Sequence, residues 1–133
     1  MAYDKVVDDG NERMVTETGA IREIPVGKGR FDLIPPHPLK RLAMHYDAGS
    51  QKYSARNWEK GLPLARFMDS TLRHINTYID GDRSEDNLVA AIWNLFGYVH
   101  TLREIEEGRL PISLAEGAVW EKELMEKLSE TKK

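Results

Sequence analysis

Residues 64–102 read LARFMDSTLRHINTYIDGDRSEDNLVAAIWNLFGYVHTL, and this stretch decides the fold. Leu64, Met68, Leu72, Ile75 and Ile79 recur at steps of four, four, three and four, the spacing of one face of an α-helix. Leu88, Ile92, Leu95, Val99 and Leu102 repeat that pattern, with Ala91 and Phe96 widening the stripe. Between the two runs lies Asp80-Gly81-Asp82, a turn, and then Ser84 with Glu85 and Asp86. A Ser followed by two acids suits a helix start, because they meet unpaired N–H groups and the positive end of the helix dipole. The stretch therefore predicts two antiparallel helices.

Working outward, Pro38 suits the first turn of an earlier helix, where its missing N–H costs nothing. Leu39, Leu42, Ala43 and Tyr46 carry that helix to Lys52 or Tyr53, with Gly49 weakening its later part. Asn57-Trp58-Glu59-Lys60-Gly61 punctuates the chain and Pro63 opens the next helix. Downstream, Leu110-Pro111 is a break, and Ser113 to about Ser129 reads as a last, highly charged helix. Upstream, Ile21–Val26 suits a short edge strand because Pro25 cannot donate to a ladder. The reading is an all-α bundle of three to four helices: an extended arm over 1–20, a helical core over 21–110 and a charged helix over 111–133.

The composition narrows the chemistry. A chain of 133 residues suits one domain. Without cysteine there is no disulfide, no thiolate-held zinc or iron–sulfur cluster and no thiol nucleophile. No apolar run approaches the ~20 residues of a membrane span, and the first residues lack a signal-peptide pattern, so a cytoplasmic location is expected. Charge is uneven. Lys28, Arg30, Lys40, Arg41, Lys52, Arg56, Lys60 and Arg66 face only Asp32, Asp47 and Glu59 in the middle segment, within a chain of net charge −3. Such a basic middle suits a phosphorylated small molecule, or an ordinary solvated face. A nucleic-acid-binding protein is more often basic overall.

Gly27-Lys28-Gly29-Arg30 permits a turn whose N–H groups and cations face an anion, although it lacks the GxxxxGK[ST] spacing of a P-loop. Arg66, Asp69 and Arg73 form one polar ridge, beside His74. Asp80, Asp82, Glu85 and Asp86 crowd one end of the helical hairpin. Carboxylates with a histidine suit Mg²⁺ or Mn²⁺; turn-forming and helix-capping roles explain the same residues. Asn94, amid apolar neighbours, needs a hydrogen-bond partner, either a nearby backbone or a ligand. Trp58 and Trp93 offer faces for a base or simple packing. His37, His45 and His100 have no zinc spacing, and neither HExxH nor a defensible Ser–His–Asp set is present.

The runs GKGRFDLIP (27–35), KYSARNWEKG (52–61) and RH…ED…WN from Arg73 to Asn94 resemble the phage-type dATP/dGTP diphosphohydrolase N-terminal domain family over about residues 18–103. The resemblance implies a MazG-like, all-α, oligomeric nucleotide pyrophosphohydrolase. Such an enzyme uses Mg²⁺ (or Mn²⁺) to cleave purine nucleoside triphosphates to monophosphate and pyrophosphate, here in phage nucleotide-pool control. The matching positions are Lys28, Arg30, Asp32, Lys52, Tyr53, Asn57, Trp58, Lys60, Arg73, His74, Glu85, Asp86 and Asn94, of which Lys28, Arg30, Lys52, Tyr53, Asn57, Trp58, Lys60, Arg73 and Asn94 are assigned to substrate by their chemistry. By their chemistry His74, Glu85 and Asp86 are assigned to catalysis, and Asp69, Glu85 and Asp86 to metal. One departure stands out. The ExxE…ExxD metal pattern of MazG-like enzymes has only Glu104/Glu107 with Glu123/Glu126 as a near match, with Glu where Asp is required. A non-catalytic protein sequestering a signalling nucleotide of antiphage defence is the alternative, and a purely structural helical protein a third.

Overall fold

The computed structural model describes residues 4–8 and 11–132, with side chains from residue 13 onward. The chain divides into two units, Met1–Pro35 and Pro36–Lys133.

The first unit is a three-stranded antiparallel meander of β1 (Asp4–Asp8), β2 (Asn11–Val15) and β3 (Ile21–Glu23), in that order. The expected arm over 1–20 thus pairs with itself, Asp4 opposite Val15 and Asp8 opposite Asn11; residues 1–3, 9 and 10 of it lie outside the described residues. β3, an edge strand, ends at Glu23, two residues before Pro25, which could not donate to a ladder. Gly27 and Gly29 take φ of 77° and 73°, so the GKG turn uses backbone that other residues avoid.

The second unit is helical: α1 (Pro36–Lys52), α2 (Leu64–Ile79), α3 (Asn87–Glu106) and α4 (Lys122–Thr131). The molecule is an all-α bundle with a small sheet beside it in sequence. α1 begins two residues before Pro38, because neither Pro36 nor Pro38 needs an N–H partner in a first turn. The start of α3 also differs from expectation. Asp86, not Ser84, is the cap, its carboxylate accepting from the Val89 N–H at 3.3 Å. Ser84 instead donates its N–H and hydroxyl to Asp82, at 2.8 and 2.6 Å, closing the turn. The last helix is interrupted as well. Residues 112–115 form one 3₁₀ turn, and Gly117 at φ 85° redirects the chain before α4.

Apart from Leu64, the apolar stripes do not make the α2–α3 seam. α2 and α3 meet through Leu64, Phe67 and Thr71 on one side and Ala90, Asn94, Gly97 and Thr101 on the other, all buried. Gly97 is obligatory there: a Cβ would stand 2.4 Å from the Phe67 ring. Small residues let two helices approach closely. That rotates Leu72, Ile79, Leu95 and Val99 outward, at 60, 77, 40 and 65% exposure. Leu64, Phe67, Tyr98 and Ile105 continue into a core closed by Ala115, Ala118 and Leu124. Tyr98 locks that closure, accepting from Trp120 Nε1 at 2.7 Å and donating to Glu121.

Candidate nucleotide site

α1 runs alongside α3 in the same direction, since Arg41 meets Asp86 and Tyr46 meets Trp93. Between the later part of α1, the 57–60 turn, α2 and α3 lies a cavity of about 400 Å³. Its walls carry the rings of Tyr46, Tyr53, Trp58 and Trp93. Ser50, Ser54, Asn57, Ser70 and Asn94 supply polar groups, and no carboxylate lines it among the described residues. The rings brace one another: Tyr46 lies 6.0 Å from Trp93 and 6.3 Å, edge to face, from Trp58, which meets His100 at 4.9 Å. Burial raises the Tyr46 pKa, so its phenol stays protonated at neutral pH.

Each polar group has a local reason for its direction. Asn94 donates through Nδ2 to the Ala90 carbonyl at 2.8 Å. Ser70 accepts from Arg73 at 3.0 Å, so Arg73 borders the cavity through it. Lys52 lies over the Tyr53 ring, 5.5 Å from its centre, and Arg56 over Trp58 at 5.9 Å. Lys60 is exposed in the 57–60 turn. Thus Tyr53, Asn57, Trp58 and Asn94 share one cavity, with Lys52 and Arg73 beside it. Lys28 and Arg30 belong to the other unit, where both are exposed. Arg30 holds Asp32 through two bonds of 2.8 and 2.7 Å, and this keeps the Asp32 carboxyl below its ordinary pKa.

Toward the starts of α1 and α3 the character changes. Arg41 grips Asp86 with both arms, at 2.9 and 2.5 Å, and chiefly for that reason Asp86 has a lowered pKa. His74 Nδ1 lies 2.8 Å from Asn87 Oδ1 and 3.8 Å from Glu85. Burial lowers the His45 pKa against the opposing pull of Asp86, and His45 lies beside Trp93 at 6.0 Å. His74, Glu85 and Asp86 are thus neighbours, as the hairpin predicts. Asp69 does not join them: it is exposed on α2, five residues before His74, or about 7.5 Å along the axis.

Among the described residues, no three His, Asp or Glu side chains converge as metal ligands. The donor set expected from Asp69, Glu85 and Asp86 is not assembled, and Asp86 is already committed to Arg41 and to its helix cap. The near-match acids fare no better. Glu104 is held by Arg109 at 2.5 and 3.1 Å, and Glu123 and Glu126 are exposed on α4. A Mg²⁺ site of the expected kind does not fit these side chains as they stand.

Sequence reasoning missed Tyr46, Ser70, Arg41, His45 and Asn87. A signal existed for two of them: Tyr46 follows His45 on the face of α1 that precedes the KYSARNW run, and Ser70 is one turn before His74 on α2. Nothing in sequence marks Asn87 as the partner of His74.

Residues 18–108 match the family described as dATP/dGTP diphosphohydrolase, N-terminal. The chain belongs to that family. No curated protein and no solved structure shows significant similarity to it. No helix of the described residues is long and apolar enough to cross a membrane.

Proposed function

We propose that the chain binds a purine deoxynucleoside triphosphate, its base between the rings of the cavity, and hydrolyses it to the monophosphate and pyrophosphate. The observation that carries this is the cavity itself: four aromatic rings and two amides in about 400 Å³, flanked by Lys52, Arg56 and Arg73. Rings hold a base by stacking, amides read its edge, and cations meet phosphate oxygens. The name of the family supports the choice of substrate.

The chain's own residues divide the work as follows. Asn87 accepts the Nδ1 proton of His74, which leaves the lone pair on Nε2. That nitrogen takes a proton from a water attacking the α-phosphorus, while the bond to the β-phosphate's bridging oxygen breaks and pyrophosphate leaves. Lys52 and Arg73 neutralise the charge that moves onto the leaving group. Because the carboxylates do not form a metal site, no step is assigned to a metal. Several copies assemble through the outward Leu72, Ile79, Leu95 and Val99 face, which is too apolar to suit water.

One observation favours the alternative of sequestration without turnover: the cavity holds no carboxylate, and Asp86 is engaged elsewhere. The deciding experiment incubates each deoxynucleoside and ribonucleoside triphosphate with Mg²⁺, with Mn²⁺ and with chelator, and separates the products. Monophosphate and pyrophosphate formed alike with metal and with chelator support the route above, whereas products lost with chelator establish a hydrolase with a metal requirement that this route lacks. Intact nucleotide throughout, together with an unchanged nucleotide released from the denatured protein, establishes sequestration.

A further inference from the structure

Gly49 stands on the cavity wall, in the last turn of α1. Glycine within a helix is destabilising relative to alanine, so its place there needs a reason. Conformation does not supply one. Gly61, Gly81, Gly108 and Gly117 of the helical unit take positive φ, whereas Gly49 continues the helix, its carbonyl accepting from the Tyr53 N–H at 2.9 Å. Packing does not supply one either. The Phe67 ring keeps Gly97 bare, but a Cβ at Gly49 would meet nothing within 4 Å. The remaining use of a bare Cα on a cavity wall is the close approach of what enters the cavity.

The neighbours of Gly49 say what that is. Tyr46 stands one turn before it and Tyr53 one turn after, and both line the same cavity. Over those seven residues a helix rises about 10.5 Å, while a ring touched on both faces needs about 7–8 Å. Gly49 is thus the floor of a notch wide enough for a ring. Its carbonyl is spent within the helix, so it offers a ligand an apolar contact, suited to the outline of a base and not to a phosphate. Stacking by itself tolerates every base, because each has a π-face. Reach into the notch separates a fused two-ring base from a single ring, and adenine and guanine share it.

Resting on the placement of the base in this cavity, we propose that Gly49 is a specificity-determining residue, its bare Cα leaving room for the fused second ring of a purine, adenine and guanine alike. The test is calorimetric binding of α,β-imido deoxynucleoside triphosphates carrying adenine, guanine, cytosine or thymine. The wild-type chain, Gly49→Ala and Trp58→Ala are compared, with thermal unfolding of each. The wild-type chain is expected to favour both purines over both pyrimidines. In Gly49→Ala the added methyl should weaken both purines by about tenfold or more and leave the pyrimidines little changed, while the Tm rises. Affinity and stability then move in opposite directions, which a folding defect does not produce. A purine-to-pyrimidine ratio equal in Gly49→Ala and the wild-type chain, or a wild-type chain without purine preference, overturns the assignment and leaves the base in the cavity. Trp58→Ala binding every base as tightly as the wild-type chain, or no binding to the wild-type chain, overturns the cavity as the base site and the assignment with it. If Gly49→Ala does not fold, Gly49→Ser is read in the same way.

Discussion

At the Tyr46–Trp93–Asn94 end of the helical unit, rings surround an open volume, and Asn94 and Ser70 each keep a bonding group unspent. At the Arg41–Asp86 end, one helical turn and more away, the charged groups are spent on each other: Arg41 on Asp86, Asp86 on the start of α3, His74 on Asn87. Trp93, between His45 and Tyr46, links the two. The difference teaches that the polar groups of the cavity end are free for a ligand in the resting helices, whereas the ionic end is first of all a device for holding α1 to the hairpin. Under the proposed function, chemistry at that end would use groups that already have structural work.

The comparison breaks most readily at its foundation. Gly97→Ala drives a methyl into the Phe67 ring, 2.4 Å away, and is expected to destabilise the unit by about 1–3 kcal/mol or more. Because Phe67 lies 6.3 Å from Trp93, urea unfolding and nucleotide affinity should fall together. Trp58→Ala tests the base end, with an expected loss of about 1–3 kcal/mol in nucleotide affinity by calorimetry and a lower unfolding midpoint as well, because the ring packs on Tyr46 and His100.

Tyr98→Phe removes the hydroxyl that joins Trp120 and Glu121 and should cost about 1 kcal/mol in urea unfolding. Burial and Glu121 push the Tyr98 pKa up to about 12. A raised phenol pKa means that the folded state favours the protonated form. That stabilisation is complete below about pH 10 and is lost as pH rises toward 12, so the wild-type chain weakens over this range and Tyr98→Phe does so less.

Two smaller changes sharpen the contrast. A Cβ at Gly49 meets nothing within 4 Å, so Gly49→Ala should stabilise α1 by about 0.5–1 kcal/mol in thermal unfolding. At the ionic end, the lowered pKa of Asp86 favours the folded carboxylate. Its contribution is present above the ordinary Asp pKa and is lost as acid protonates it. Asp86→Asn keeps a good cap but not the charge, so the acid limb of a Tm-against-pH curve should flatten slightly.

Much of the helical unit was legible in local pattern. The two stripes give α2 and α3, prolines give the starts of α1 and α2, and glycine marks the turn at Gly81, where φ is 98°. The neighbourhood of His74, Glu85 and Asp86 follows from folding that hairpin, because it needs only the turn between them. The KYSARNW run likewise placed Tyr53, Asn57 and Trp58 together, since they lie in one short stretch. The pairing within the extended arm was not legible because β1 and β2 have few apolar residues, and their ladder rests on backbone pairing that no side-chain pattern announces.

What tertiary structure decided is which way the helices turn. The sequence by itself determined that α1, α2 and α3 are helices and which apolar stripes they carry, since these depend on neighbours within a turn, but not the cap of α3 or the start of α4. It did not determine the α2–α3 seam. Close packing through Gly97, Thr71 and Ala90 outweighs the stripes, and the large side chains Leu72 and Val99 then face outward. The same rotation fixes Asn94 against Ala90, brings Ser70 opposite it, and carries Asp69 away from Glu85 and Asp86. A helix shows its faces in one dimension, but only its contacts in three dimensions select the face that becomes a site.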